Sequence, residues 1–278
     1  MFRLKPIPVE EIIDILEKAE EVFKDEEIVL DIDAKEAFFI GDIHGDLKSA
    51  TKIFQIIQQT NAKFVFLGDY IDRGPFSVEV MVGILRLKLS EPDRIVMLRG
   101  NHETAPVNEV YGFLDELHYK YPTHTNTLYR EFNKVFSQMP VAAIINSEIL
   151  CLHGGVPKDA TFSDIRRIPK GDLEGMNMVL MQVLWNDPEE GIDYFAPSYR
   201  GANIYIFGEK AFEEFIEKEG LKKIIRAHTF LPQGARWYFK RRLLSLFSPT
   251  EYVGRILEPK IAKLTGKNEI VVIDISKV

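Results

Sequence analysis

Cysteine is nearly absent. Cys151 is the only one in 278 residues, which excludes an intramolecular disulfide framework and any multi-cysteine metal site. Its isolation fits a reducing compartment. Basic charge is also scarce: 35 Lys+Arg stand against 42 Asp+Glu, a formal charge of −7. A protein that grips nucleic acid through a broad basic surface is therefore disfavoured. No run approaches the roughly 18 uninterrupted apolar residues of a membrane span. The N-terminal stretch MFRLKPIPVEEIIDILEKAEEVFKDEE lacks the apolar run of a secretory signal and is dense in acid. A GxxxxGK[ST] phosphate loop is missing as well, which disfavours a P-loop NTPase. There is no internal repeat, no low-complexity tract and no Pro/Gly/Ser-rich linker. The expectation is one domain over residues 1–278, cytoplasmic, with neither membrane nor nucleic acid as partner.

What is present is ordinary globular composition, 46% hydrophobic and 28% charged. Apolar positions at Ile12, Ile13, Leu16, Ala19, Val22 and Phe23 follow one helical face, so residues 1–27 should contain an N-terminal helix packed on the core. From Glu36 the pattern alternates. The apolar run Ala37 to Ile40 stops at Gly41-Asp42, and Leu47 to Gln59 is helical. Phe64 to Leu67 stops at Gly68-Asp69, and Val78 to Leu89 is helical again. Ile95 to Leu98 runs into Arg99-Gly100-Asn101. This repetition predicts a βαβαβ unit with parallel strands. Ligand sites in such folds form beyond the carboxyl ends of the strands. Asp42, His44, Asp69, Asn101 and His102 should therefore share one rim. Residues 104 to 139 read as mainly helical. After Pro140 short strands follow at 141–145, 149–152, 204–207, 224–226, 237–239, 243–247 and 270–275.

Six histidines occur in the chain, and four sit in or after Gly-containing loops beside apolar runs: His44 in GDIHG, His102 in GNHE, His153 in LHGG and His228 in RAHT. His118 and His124 lie in the polar helical region and have no expected chemistry. Imidazole and carboxylate together suit Mn, Fe or Zn, whereas Mg and Ca prefer oxygen alone. A lone histidine at a strand end is usually a hydrogen-bonded structural residue. Four of them with Asp42, Asp69 and Asn101 favour a metal centre. A pair of metals polarises a phosphoryl oxygen and acidifies a shared water. Arginine forks neutralise phosphate oxygens, and Arg73, Arg99, Arg200 and Arg226 each lie in one of these loops. His102 with Asp72 is the plausible pair to protonate a leaving alkoxide. Cys151 reads as a small core residue, because Gly155-Val156-Pro157 stand where a cysteine-phosphatase loop would bring its arginine. The triplet Lys240-Arg241-Arg242 reads as a solvated turn rather than a nucleic-acid contact.

These motifs resemble the phosphoprotein phosphatase (PPP) family of metal-dependent Ser/Thr phosphatases, of the small archaeal or bacterial type. The stretches are Gly41 to Gly45, Gly68 to Gly74, Leu98 to Glu103 and Leu152 to Gly155. They continue with Leu184 to Pro188, Arg200-Gly201 with Phe207-Gly208, Arg226 to His228, and Leu246 to Ser248 with Tyr252. They run in the family's order over roughly residues 40 to 255. The resemblance implies an α/β metallophosphoesterase-type fold, a central β-sandwich of mixed sheets flanked by helices. It implies that Asp42 and His44 hold a first metal, that Asp69 bridges both, and that Asn101, His153 and His228 complete the second. Mn2+ is the expected ion, with Fe or Zn also suited. His102 would be the general acid, oriented by Asp72. Arg73 and Arg200 would bind phosphate directly, with Arg99, Arg226 and Tyr252 beside them.

The implied reaction is hydrolysis of phosphoserine and phosphothreonine monoesters, in phosphoproteins or phosphopeptides, by direct attack of a hydroxide bridging the two metals, with no phosphoenzyme. The alternative is a bis(5'-nucleosyl)-tetraphosphatase or another small-molecule phosphoesterase. Asp72-Arg73, Glu103 and the RAH and LFS…Tyr252 stretches favour the first. An inactive scaffold is disfavoured, since all six expected metal-contacting residues are present. Departures from the family pattern are Asp46 after GDIHG, Thr229 after RAH, Asn203, the Ser248-Pro249-Thr250-Glu251 run and Val253. None is an expected ligand.

Overall fold

The computed structural model describes residues 5–267 and 269–277. Helix α1 (Val9–Asp25) begins directly after Pro8, with Glu10 and Glu11 in its first turn near the positive end of the dipole. It buries Ile12, Ile15, Leu16, Ala19 and Phe23 and packs against the third and sixth helices. Residues 1–4 of the expected N-terminal segment lie outside the described residues.

The chain then forms β1 (Val29–Ile32), β2 (Ala37–Ile40), α2 (Leu47–Gln58), β3 (Lys63–Phe66), α3 (Ser77–Ser90) and β4 (Ile95–Met97). Strands β2, β3 and β4 pair in parallel, in that order. This is the expected βαβαβ unit. The strands are almost wholly apolar because they are covered on both faces. A helical stretch follows: α4 (Ala105–Asn108), α5 (Phe113–Lys120) and α6 (Thr125–Gln138). The second half carries β5 (Ala142–Ile145), β6 (Ile149–Leu152), α7 (Phe162–Ile165), α8 (Met178–Trp185), β7 (Asp187–Pro188), β8 (Phe195–Pro197) and β9 (Tyr205–Phe207). It ends with α9 (Glu209–Lys218), β10 (Lys223–Arg226), β11 (Ala235–Tyr238), β12 (Leu243–Leu246), β13 (Glu251–Tyr252), β14 (Arg255–Ile256), β15 (Lys260–Leu264) and β16 (Ile270–Asp274).

Two mixed sheets face each other. One has the order β16-β15-β2-β3-β4 and the other β1-β5-β6-β10-β12-β11. Phe39, Val65, Leu67, Val96 and Leu98 of the first interlock with Ile145, Cys151, Ile225, Leu244 and Leu246 of the second. Helices α1, α2, α3, α5 and α6 cover the outer face of the five-stranded sheet. Helices α7, α8 and α9 cover the other. The layers are therefore helix, sheet, sheet, helix, the α/β sandwich implied by the motifs.

Strands β1, β7, β8, β13, β14 and β15 and helices α7, α8 and α9 were not among the sequence expectations. The basic triplet is a turn, with Phe239, Lys240 and Arg241 at positive φ. Its charges are engaged locally: Lys240 pairs with Glu209 at 2.9 Å, and Arg241 lies over the Trp237 ring at 4.9 Å. Among the described residues no helix is long and apolar enough to cross a membrane.

Candidate active site

The loops that leave β2, β3, β4, β6 and β10 meet at one edge of the sandwich. They deliver Asp42 and His44, Asp69 and Asp72, Asn101 and His102, His153, and His228, all buried. Glycine makes the approach possible. A Cβ on Gly100 would stand 2.3 Å from Asp69 Oδ1, and one on Gly68, whose φ is +103°, would stand 2.5 Å from the Gly100 nitrogen. His44, Asp69, Asp72, Arg73 and His228 all adopt positive φ without being glycine. Such strain persists only where the surroundings fix it, and it concentrates at functional sites.

Hydrogen bonding decides which ring atom each histidine offers. His44 Nδ1 lies 2.9 Å from the Ile71 carbonyl oxygen, and His153 Nδ1 lies 2.8 Å from that of Leu67. Both Nδ1 atoms must carry the hydrogen, which leaves Nε2 facing the cleft. There Nε2 meets only acceptors. For His44 these are Asp42 Oδ2 and Asp69 Oδ2, both at 3.6 Å. For His153 they are Asn101 Oδ1 at 2.9 Å and Asp69 Oδ1 at 3.3 Å. His228 Nδ1 is 2.8 Å from the same Asn101 oxygen. Lone pairs that converge in this way repel unless positive charge lies between them.

The electrostatic balance of these groups makes the same demand for positive charge. Burial disfavours the charged ring of His44, yet its hydrogen bond to Asp42 and the Asp69 charge outweigh this and raise its pKa to about 9. His153 is raised too, against burial, chiefly by Asp69. Asp69 is held well below the usual carboxylate range: burial opposes this, but the His153 and His102 charges prevail. His228 is pushed far down by burial and then by Arg200, so its ring is neutral and keeps a lone pair. Divalent cations meet the demand of this acceptor set. Ligand atoms of His44, Asp69 and His102 lie within 4.8 Å of one another, as do those of Asp69, His153 and His228. Asp69 is common to both groups.

His102 is held differently. Its Nδ1 is 2.5 Å from Asp72 Oδ2, and Asp72 Oδ1 accepts from the Phe113 nitrogen at 2.8 Å. Its Nε2 points into the cleft, 3.9 Å from Asp69 Oδ2. The cleft has a volume of about 370 Å3, and Arg73, Arg200 and Tyr252 also line it. Burial pushes the Tyr252 hydroxyl up to about 12, so it is a neutral donor.

Arg99 and Arg226 require correction, because neither reaches the cleft. Arg99 is buried and donates to the carbonyl oxygens of Glu103 at 3.0 Å and Asp172 at 2.7 Å. Arg226 is fully buried and donates to the carbonyl oxygens of Gly154 at 2.6 Å and Asn186 at 3.1 Å, and to Asp187 Oδ1 at 2.9 Å. Both side chains turn inward and brace loops, and neither lines the cleft. His118 and His124 are exposed and away from the cleft.

Residues 37–232 match the sequence profile of the calcineurin-like phosphoesterases. The chain belongs to that family. A Caenorhabditis elegans protein, provisionally named as a serine/threonine-protein phosphatase, is 36% identical over 244 residues. The match covers 87% of this chain and 66% of that protein, so the chain spans just under two thirds of its relative's length. A protein serine/threonine phosphatase from Saccharomyces cerevisiae, described as similar to human phosphatase PP5, superposes with a TM-score of 0.84 at 27% identity. The superposition covers 96% of this chain and 90% of that one. A cold-active protein-tyrosine phosphatase of a Shewanella species superposes with a TM-score of 0.69 at 15% identity, over 93% of this chain and 83% of that one. The last likeness concerns the fold alone. The resemblance to phosphoprotein phosphatases read from the motifs stands on these matches.

Three acidic residues of this calcineurin-like phosphoesterase support its site and were not among the expected site residues. Glu103 accepts from the backbone nitrogens of Asp69 at 2.8 Å, Tyr70 at 3.0 Å and Gly100 at 2.9 Å. Burial, with the Asp69 charge behind it, raises its pKa to about 8. Asp187 accepts from Arg200 Nε at 2.5 Å, and from Arg226 and Thr229 through its other oxygen. Asp46 caps α2. Glu103 and Asp187 sit inside the motif stretches GNHE and LWNDP, and that position was the available signal.

Proposed function

We propose that residues 1–278 act as one catalytic domain that hydrolyses phosphoserine and phosphothreonine monoesters in phosphoproteins. One observation carries the reading. The His102–Asp72 pair, at 2.5 Å, opens onto the same cleft as the Asp69-centred ligand atoms and the two arginines, Arg73 and Arg200. The names of the nematode relative and the yeast structure support the same substrate class.

Two divalent cations, Mn2+ first and Fe or Zn as fitting substitutes, would be held by Asp42, His44 and Asp69 and by Asp69, Asn101, His153 and His228, and would supply Lewis acidity to the phosphoryl group and to water. The remaining work falls to the chain. Arg73 and Arg200 neutralise and orient the phosphate dianion through their forked donors. Arg200 is itself aimed by Asp187. Tyr252 offers a hydroxyl donor from above His44, with the two ring centres 5.1 Å apart. An alkoxide leaving group needs a proton as the P–O bond breaks, and His102 Nε2–H supplies it. Asp72 keeps the ring in the orientation that presents Nε2, and it stabilises the protonated form.

The test is a panel of purified protein with Mn2+, phosphoseryl and phosphothreonyl peptides, and a dinucleoside tetraphosphate. Phosphate release from the peptides is expected. Preferential cleavage of the dinucleotide would overturn the reading in favour of a small-molecule phosphoesterase.

A further inference from the structure

Asp72 is gripped by two helices. From α5, the Phe113 nitrogen donates to Asp72 Oδ1 at 2.8 Å. From the first turn of α3, Ser77 Oγ accepts from the Asp72 nitrogen at 3.1 Å. The two helices are joined in turn by Glu116 of α5. Its Oε2 accepts from the Ser77 nitrogen at 2.8 Å, and its Oε1 from the Val78 nitrogen at 2.9 Å. These links close a triangle whose corners are α5, α3 and Asp72.

We propose that Glu116 is a positioning residue for the His102–Asp72 pair, acting through the first turn of α3 and Ser77. The inference rests on the phosphatase reading above and adds a residue to its proton-transfer step.

Capping α3 does not by itself call for such a residue. Phe76 occupies the N-cap and makes no side-chain hydrogen bond there. A serine or aspartate at that position is the usual local cap. The chain instead uses a buried carboxylate 39 positions away. A buried charge is costly unless it is paired. Lys120 supplies the pairing, at 2.9 Å from Glu116 Oε1 and 2.6 Å from Glu79 Oε2, and also donates to the Pro75 carbonyl oxygen at 3.0 Å. What this distant cap adds over a local one is a fixed spacing between the two helices that hold Asp72. That spacing matters because Asp72 sits at a φ of 69°, a conformation that a residue other than glycine keeps only where its neighbours impose it. Its Oδ2 lies 2.5 Å from His102 Nδ1, so a displaced Asp72 carries the imidazole with it. Arg73 is secured separately. Its nitrogen donates to the Tyr111 carbonyl oxygen at 3.1 Å, and its guanidinium lies 4.0 Å from the centre of the Tyr111 ring. The triangle therefore bears on the proton donor rather than on the phosphate-binding arginine.

The experiment measures kcat and KM for the intact protein and its Glu116→Gln, Ser77→Ala and doubly substituted variants, all with Mn2+. The substrates are a phosphoseryl peptide and phenyl phosphate. Glutamine keeps the shape of Glu116 but turns an NH2 group toward one of the two amides. Each single variant should lower kcat on the peptide by about tenfold, short of the roughly 10²–10⁴ for losing an acid outright. KM should stay within about twofold. Phenyl phosphate should lose no more than about twofold, because its phenol leaves readily without a proton. The double variant should lose about as much as one single variant, since both substitutions open the same triangle. Ser77→Ala leaves the Glu116 contacts in place and carries the same comparison should Glu116→Gln fail to fold. Equal losses on the two substrates would make Glu116 an ordinary cap and overturn the inference. So would single losses that multiply in the double variant, or an unchanged kcat on the peptide. An intact protein that cleaves neither substrate would overturn the phosphatase reading itself.

Discussion

Asp46 Oδ2 accepts a hydrogen bond from the Thr250 backbone nitrogen at 2.6 Å, joining positions 204 residues apart. The same oxygen accepts from Ser49 Oγ at 2.7 Å, while Oδ1 caps α2 through the Lys48 nitrogen at 3.1 Å. The carboxylate thus ties the segment after His44 to the segment before Tyr252, and every one of its contacts is a donor. Asparagine would turn an NH2 group toward one of those donor sets. Asp46→Asn should destabilise the protein by about 1–3 kcal/mol, the scale of leaving a buried donor without its acceptor. It should also raise KM more than it lowers kcat, because Tyr252 loses its tether. Urea unfolding together with steady-state kinetics checks both, and an unchanged KM would refute the tether.

His102→Asn should lower kcat on phosphoseryl peptides by about 10²–10⁴, the range for losing a general acid. The loss should be much smaller on aryl phosphates, since a phenol with a pKa near 10 leaves without a proton far more readily than an alcohol does. Metal content should be unchanged, because Asp72 holds the His102 ring through Nδ1 and the proposed ligands are Asp42, His44, Asp69, Asn101, His153 and His228. An equal loss on alkyl and aryl esters would refute the acid assignment.

Asp69→Asn should lose metal and activity together, since both groups of ligand atoms share this carboxylate. Gly100→Ala should imitate it without touching a ligand, because the new Cβ would stand 2.3 Å from Asp69 Oδ1. Elemental analysis of the two variants provides the check. Full metal occupancy in Gly100→Ala would show that the loop can yield.

Chelated protein should lose stability as the pH rises. His44 titrates at about 9 in the folded chain, against 6.5 for a free ring. A folded pKa above the unfolded one contributes stability that is complete below pH 6.5 and is lost as the pH climbs through about 9. His153 shifts in the same direction. Metal loading should remove or reverse the slope, because cations replace the protons and bind neutral imidazole. Thermal midpoints across pH 6–10, with chelator and with Mn2+, measure the difference. A flat profile under chelation would refute the account.

Cys151 should resist thiol reagents in the native state. It is sealed between the two sheets, and burial pushes its thiol far above the ordinary range, so it holds no thiolate. Labelling with a disulfide reagent should appear only on unfolding.

The strand-to-loop punctuation made most of the site readable in advance. Asp42, Asp69 and Asn101 each follow an apolar run that halts at or beside a glycine, and such a run has one physical use. The direction of an arginine side chain has no such marker. Arg73 and Arg200 turn into the cleft, and Arg99 and Arg226 turn inward, from loops of equal polarity. Strand β1 carries Asp31 at the edge of its sheet and β15 carries two lysines, so neither shows a clean apolar run. Helix α8, MVLMQVLW, is apolar on nearly every side and hides its period. Helix α9 is the exception: Ala211, Phe212, Phe215 and Ile216 do keep a helical spacing.

Glu103 gathers the amides of two separate loops onto one side chain, well inside the protein and independent of any cation. Part of the order of those loops therefore comes from a carboxylate of the chain itself. If the proposed cations exchange there, the cost should fall on their hydration shells more than on this backbone, and the exchange rate should follow the water-exchange rate of the incoming ion.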